Sequence, residues 1–234
     1  MVDVALAGLR RGMSAAERWP IIQAVVEHLH GPIVPEDGMD VGLLARVPMP
    51  EPLRWWYGWA GNRREILEGY NHWMYPLAQY CTRGGLQIED GRVIFQYEQQ
   101  GVYDWATALS GDDPPVQRRM RMVKDGWGPW MAEGMTLSEH ILASVIFEAA
   151  MCRMPYIASR FFMDDEMAAA VLQPLRLLEL GPWTWTETRF YAARGAFAFF
   201  QPANAACFFI GARTVEPLRY IEAFADPEWE FHAP

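Results

Sequence analysis

No two cysteines in this 234-residue chain stand at C-x-x-C spacing, and there are only 3 of them, Cys81, Cys152 and Cys207. That set suits neither a disulfide framework nor a zinc site, and it predicts reduced, mostly buried thiols. Long apolar runs are also missing. The most apolar later stretch, 195–212, is broken at its centre by Gln201, Pro202 and Asn204. It falls short of the roughly 20 residues a spanning helix needs and reads as two buried strands joined by a turn, so no membrane association is expected. Positive charge is scarce: 20 Lys plus Arg stand against 29 Asp plus Glu, a net charge of −9 and a pI near 5.1. Nucleic acid needs a basic footprint and is excluded as a direct partner, whereas a basic protein is electrostatically favoured. The segment Met1–Arg11 has no positive region ahead of its short apolar run, so no secretory leader is expected and the location is read as cytoplasmic.

Catalytic signatures are equally sparse. There is no H-E-x-x-H, no G-x-S-x-G, no G-x-x-x-x-G-K-[ST] and no G-x-G-x-x-G. His28 and His30 are two apart on a predicted helix and diverge. Cys152 and His140 would lie about 18 Å apart along one helix, beyond any proton transfer. The reading is of a chain with no catalytic residues, no metal ligands and no cofactor.

What is present is a substantial core. Hydrophobic residues are 51% of the chain, charged residues 21%, and there are 11 Trp and 12 Phe. A chain of this mass buries about 70% of its unfolded surface. Ser14 and Glu17 have capping-box spacing, ahead of Ile21, Ile22, Val25, Val26 and Leu29 at helical period. A second helix is predicted over 51–60, with Leu53, Trp56, Tyr57 and Ala60 on one face and Gly61 ending it. Strands are predicted over 93–98, 101–106 and 116–123. Thr136 and Glu139 open a helix carrying Ile141, Leu142, Val145 and Ile146, and Asp164 caps another through Gln173. Three strands follow, 188–193, 196–200 and 206–211, then a helix over 216–224. Strands in runs point to an α+β fold with a mostly antiparallel central sheet flanked by helices and a C-terminal strand-and-helix extension. The expected division is 1–155 and 156–234, or one continuous domain.

Candidate site residues follow from charge and expected exposure. Asp112 and Asp113 precede two prolines; Asp164, Asp165 and Glu166 begin a helix; Glu228, Trp229 and Glu230 lie in an acidic, aromatic tail. As paired carboxylates the 112–113 and 164–166 groups suit hydrolysis; as a turn and a capped helix they are structural. Glu98 closes an apolar strand ahead of Gln99-Gln100-Gly101 and is expected to bind backbone amides there or to line a groove. Arg118-Arg119-Met120-Arg121, with Lys124 just after, reads as a solvated strand face with Arg119 and Arg121 on one side. Trp127, Trp130, Trp183 and Trp185 read as core or loop anchors.

The ordered set Pro52–Gly61, Asn71–Leu77, Val93–Val102 with Trp105, Asp113-Pro114-Pro115-Val116 and Leu137–Leu142 resembles the SUKH superfamily across about residues 51–151. Trp56, Gly61, Glu98, Gly101, Trp105 and Pro114 carry that resemblance, and His140 stands where the family more often has an aromatic residue. The resemblance implies an α+β fold without catalytic residues. It also implies an immunity protein that binds a cognate secreted bacterial toxin, a basic domain such as a nuclease, and occludes its active site. A regulatory adaptor of the same fold and a carboxylate-dependent hydrolase are the alternatives. Oligomeric state is left open.

Overall fold

The computed structural model describes residues 2–77, 85–122, 126–183, 186–224 and 226–233. Cys81, Val123, Lys124, Thr184 and Trp185 lie outside the described residues. The helices are α1 (Val2–Ala7), α2 (Ala15–His30), α3 (Val41–Leu44), α4 (Glu51–Ala60), α5 (Arg64–Leu67), α6 (Leu137–Glu148) and α7 (Asp165–Leu172). A π-helical turn, Ala149–Arg153, continues α6, and 3-10 segments cover Pro35–Asp37 and Glu216–Phe224. The strands are β1 (His72–Met74), β2 (Gln87–Glu89), β3 (Arg92–Glu98), β4 (Tyr103–Ala108), β5 (Pro115–Met122), β6 (Gly126–Trp127) and β7 (Met131–Thr136), followed by β8 (Tyr156–Arg160), β9 (Arg176–Leu177), β10 (Arg189–Ala193), β11 (Ala196–Gln201), β12 (Cys207–Ala212) and β13 (Glu230–His232). Helices with antiparallel sheets make this an α+β protein. No helix among the described residues is long and apolar enough to cross a membrane.

The chain divides into two compact units. A central unit takes residues 14–19 and 30–140; a C-terminal unit takes 1–13, 20–29 and 141–234. Two local bonds account for the early residues of the second unit. The Asp3 carboxylate accepts from the Gly195 amide at 3.1 Å, and Arg213 Nε donates to the His28 carbonyl at 2.8 Å.

In the central unit the sheet runs β1-β3-β4-β5-β6, with β2 also on β3 and β7 also on β5. Val93, Ile94, Phe95 and Gln96 of β3 are all buried, so this strand is covered on both faces. The helix starts are as the spacing predicts. Ser14 and Glu17 bond reciprocally, amide to carboxylate at 2.9 Å and amide to hydroxyl at 3.3 Å. The α4 face Leu53, Trp56, Tyr57 and Ala60 is buried.

The C-terminal sheet has the order β13-β8-β12-β11-β10-β9, every pair antiparallel. The sequence reading has three strands here; β8, β9 and β13 extend them to six. Every residue of β11 and β12 is buried, as a strand covered on both faces requires. One face packs on Val171, Leu175, Leu218, Ile221 and Trp229. On the other, Phe199 stacks between Phe147 and Phe209, with ring centroids 4.3 and 5.0 Å away. Gly211 allows β12 to approach the π-helical turn: a Cβ there would stand 2.6 Å from the Ala149 carbonyl oxygen, a backbone atom that cannot rotate away. Gly211→Ala is therefore expected to destabilise the protein by about 1–3 kcal/mol, read as a lowered denaturant midpoint with unchanged slope. An unaltered midpoint would show that the two elements separate freely.

Candidate functional site

Buried arginines organise both units. In the central unit Arg18, 1% exposed, donates to Asp113 at 3.2 Å, to Glu139 at 3.3 Å and to the Ser138 hydroxyl. Asp113 also accepts from the Ser138 amide at 2.8 Å and its hydroxyl at 2.7 Å. It thus caps α6 from a different loop, while the Pro114 carbonyl accepts from the Leu137 amide at 2.9 Å. Asp112, its neighbour, is exposed. The two adjacent carboxylates are divided between a structural bond and solvent.

Of the basic run on β5, Arg121 is exposed as expected, but Arg118 and Arg119 are not on a solvated face. Arg118 and Arg119 are 6% and 5% exposed, while Met120 and Met122 are 37% and 43% exposed. Arg119 reaches Asp104 with two nitrogens at 3.0 and 2.9 Å and Glu89 at 2.7 Å. Trp127 and Trp130 hold its guanidinium with both ring centroids at 4.5 Å. A planar cation can take carboxylate oxygen at its edge and aromatic rings on its faces at once, and that buries two adjacent arginines of one strand, against the alternation expected. Arg118 meets the buried Glu133 at 3.2 Å and lies over Tyr103 at 5.0 Å. Burial pushes the Glu133 carboxyl up to about 7, against the opposing pull of Arg118.

The residues of the family resemblance are mostly interior. Trp56 and Trp105 are 2% and 0% exposed. The Glu98 carboxylate accepts from the Gln100 and Val102 amides at 2.9 and 3.3 Å, closing the turn in which Gly101 adopts φ +70°. This is the backbone-binding role, not a groove. A Cβ on Gly61 would stand 2.5 Å from the Tyr57 carbonyl oxygen. His140 is fully buried against Phe95 and Trp105, and its Nε2 donates to Gln96 Oε1 at 2.6 Å. Burial holds its pKa well below the ordinary value, so it packs as a neutral ring.

In the C-terminal unit antiparallel pairing brings distant segments to one end of the sheet. Arg160 pairs with Phe208, Gln201 with Cys207, Arg189 with Phe200 and Glu230 with Ser159. The segments 161–164, 202–206, 186–188 and 226–229 therefore share one rim. Asp164 caps α7 by accepting from the Met167 amide at 2.8 Å; Asp165 and Glu166 are exposed in its first turn. Arg160, 6% exposed, donates to Asp226 and, at 2.8 Å, to Glu228. Glu230 is exposed on β13. Gln201, 5% exposed, donates to Thr188 at 2.9 Å and accepts from Asn204 at 3.0 Å and Cys207 at 3.2 Å, which ties the 202–206 turn to β10. Burial pushes the Cys207 thiol up to about 11, so it is held in its protonated form.

Trp229 departs from its expected exposure. It is 6% exposed, packs against Phe208 at 6.2 Å and stacks on Phe231 at 6.1 Å. Its large apolar ring is drawn into the core as β13 joins the edge of β8. Among the described residues of this rim the most exposed aromatic is instead Phe162, 79% exposed. Its signal in the sequence was an aromatic pair, Phe161-Phe162, directly ahead of the acidic run.

No protein-family profile, curated protein or solved structure matches the chain.

Two outcomes follow. Asp113→Asn, which strips the buried Arg18 of a charge partner, is expected to cost about 2–4 kcal/mol, while Asp112→Asn leaves the denaturant midpoint in place; equal effects would contradict the division of roles. A native Glu133 carboxyl held above its unfolded value of 4.5 contributes stability that is complete below that value and is lost as pH rises through about 7. Stability of the native protein should thus fall between pH 5 and pH 8, and Glu133→Gln should flatten that fall; identical pH profiles would refute the assignment.

Proposed function

We propose that the chain is an immunity protein, which binds a cognate secreted toxin of basic character, such as a nuclease domain, and blocks it by covering its active site. The observation that carries this reading is the acid-rich rim of the C-terminal unit, where Asp165, Glu166 and Glu230 stand exposed on a protein of net charge −9. Uncompensated carboxylates on a pre-formed face accelerate encounter with a cationic partner and disfavour neutral ones. The ordered motifs of the central unit support the same reading through their likeness to the SUKH superfamily. The carboxylates weighed for hydrolysis lend that alternative little support, because Asp113 and Asp164 each hold a backbone amide at 2.8 Å.

The test is biological. The product of the adjacent gene, expressed under an inducible promoter in a heterologous bacterium, is expected to stop growth. Co-expression of this chain is expected to restore it, and the two should co-purify as a complex that dissociates faster in high salt. A neighbour that is harmless, or one whose toxicity this chain leaves untouched, removes the immunity reading.

A further inference from the structure

The rim just described carries strain as well as charge. Among the described residues, the non-glycine residues with positive φ are Asp90, Phe162, Glu187, Ala205 and Ala206. Asp90 belongs to the Asp90-Gly91 hairpin turn of the central unit, where such a conformation is ordinary. All the others lie on this one rim. Phe162 is the costliest of them, since a bulky side chain at φ +58° is a true outlier. Two bonds clamp it: the Phe162 amide donates to the Ala205 carbonyl at 2.6 Å, and the Met163 amide to the Ala206 carbonyl at 3.3 Å. The Gln201 network holds the far side of the same turn. The surroundings therefore over-determine a backbone that Phe162 itself disfavours.

That strain gives Phe162 no packing in return, because the ring stands 79% exposed. Glycine would occupy this position without cost. A phenyl ring held outward there makes sense as a contact for something else. Phe161, 38% exposed, braces the base of the loop by an edge contact to Phe209 at 5.6 Å. On this rim exposed acids outnumber exposed bases, with Arg189 as the exposed cation. Asp165, Glu166 and Glu187 are exposed, and the rim's buried cation, Arg160, is already met by Asp226 and Glu228.

From this juxtaposition we infer that the Phe162 loop is the docking point for a lysine- or arginine-rich protein segment carrying an apolar side chain. That side chain packs on the Phe162 ring while its flanking cations pair with Asp165, Glu166 and Glu187. The inference rests on the binding role proposed above and names its surface and anchor. Aromatic anchors ringed by polar groups are where interface energy concentrates. The charge pattern selects a cationic occupant, because an acidic or neutral segment leaves the rim carboxylates desolvated and unpaired.

The test uses the whole protein against a displayed library of random dodecapeptides. Enriched peptides should combine Lys or Arg with apolar residues and weaken as salt is raised. Phe162→Gly should cut their binding about tenfold or more while raising the melting temperature, because glycine accepts the left-handed backbone. Loss of binding with gain of stability separates a docking role from a structural one. The triple variant Asp165→Asn, Glu166→Gln, Glu187→Gln should abolish the salt dependence, and Asp112→Asn on the central unit should leave binding intact. The inference is overturned if no peptide is enriched, if the enriched peptides are acidic or uncharged, or if they bind Phe162→Gly as well as the native chain. The two readings separate cleanly. Enriched basic peptides without relief of the neighbour's toxicity would keep the docking surface and discard the toxin. Relief of toxicity undiminished by Phe162→Gly would do the reverse.

Discussion

A guanidinium buried in a protein interior has to be met by carboxylates, because an uncompensated charge there costs more than almost any single packing defect. Four arginines impose that condition here: Arg18, Arg118, Arg119 and Arg160, each at most 6% exposed. Their partners come from separate parts of the chain. Arg18 draws Asp113 and Glu139 together, Arg119 gathers Asp104 and Glu89, Arg118 holds Glu133, and Arg160 takes Asp226 and Glu228. Arg119 and Arg118 reinforce the β4–β5 and β5–β7 ladders, whereas Arg18 joins segments that no strand ladder pairs. Arg18 seats the start of α6 on the 109–114 loop, and Arg160 brings the tail to the edge of β8.

This condition also sorts the acidic residues. A carboxylate committed to a buried guanidinium or to a helix amide cannot serve a ligand. Asp113, Asp164, Asp226 and Glu228 are engaged in this way, although the Glu228 side chain stays 67% exposed; on the C-terminal rim Asp165, Glu166, Glu187 and Glu230 are exposed as well. Such selection is invisible when acids are counted along the chain, because adjacent residues such as Asp112 and Asp113 have opposite fates. It also explains how a core rich in arginine coexists with a strongly acidic surface.

Much of the fold was legible because its signals are local. Ser14 with Glu17 and Asp164 with Met167 are contacts three residues apart, and the helices they open begin where spacing predicts. The apolar runs of β11 and β12 and the turn after Glu98 are likewise short-range. Among the elements without a signal in the sequence, β7, β8, β9 and β13 are short or mixed in composition. Strand β13, with all three residues exposed, has no alternation to detect and exists because β8 offers it an unpaired edge. Arg118 and Arg119 were misread because alternation presumes that charge faces water. Trp127, Trp130 and Tyr103, which cover those guanidiniums, come from other strands and from the loop between β6 and β7.

The amino-acid order by itself determined the α+β class, the helix starts, the two buried hairpin strands and the acidic balance, since each depends on composition or on neighbours a few residues away. Tertiary structure decided which acids stay free, that Trp229 turns inward and Phe162 outward, and that segments near 162, 187, 205 and 228 meet at one rim. Those outcomes depend on antiparallel register and on long-range ion pairing, such as Arg160 to Glu228. No window of sequence contains both partners of such a pair.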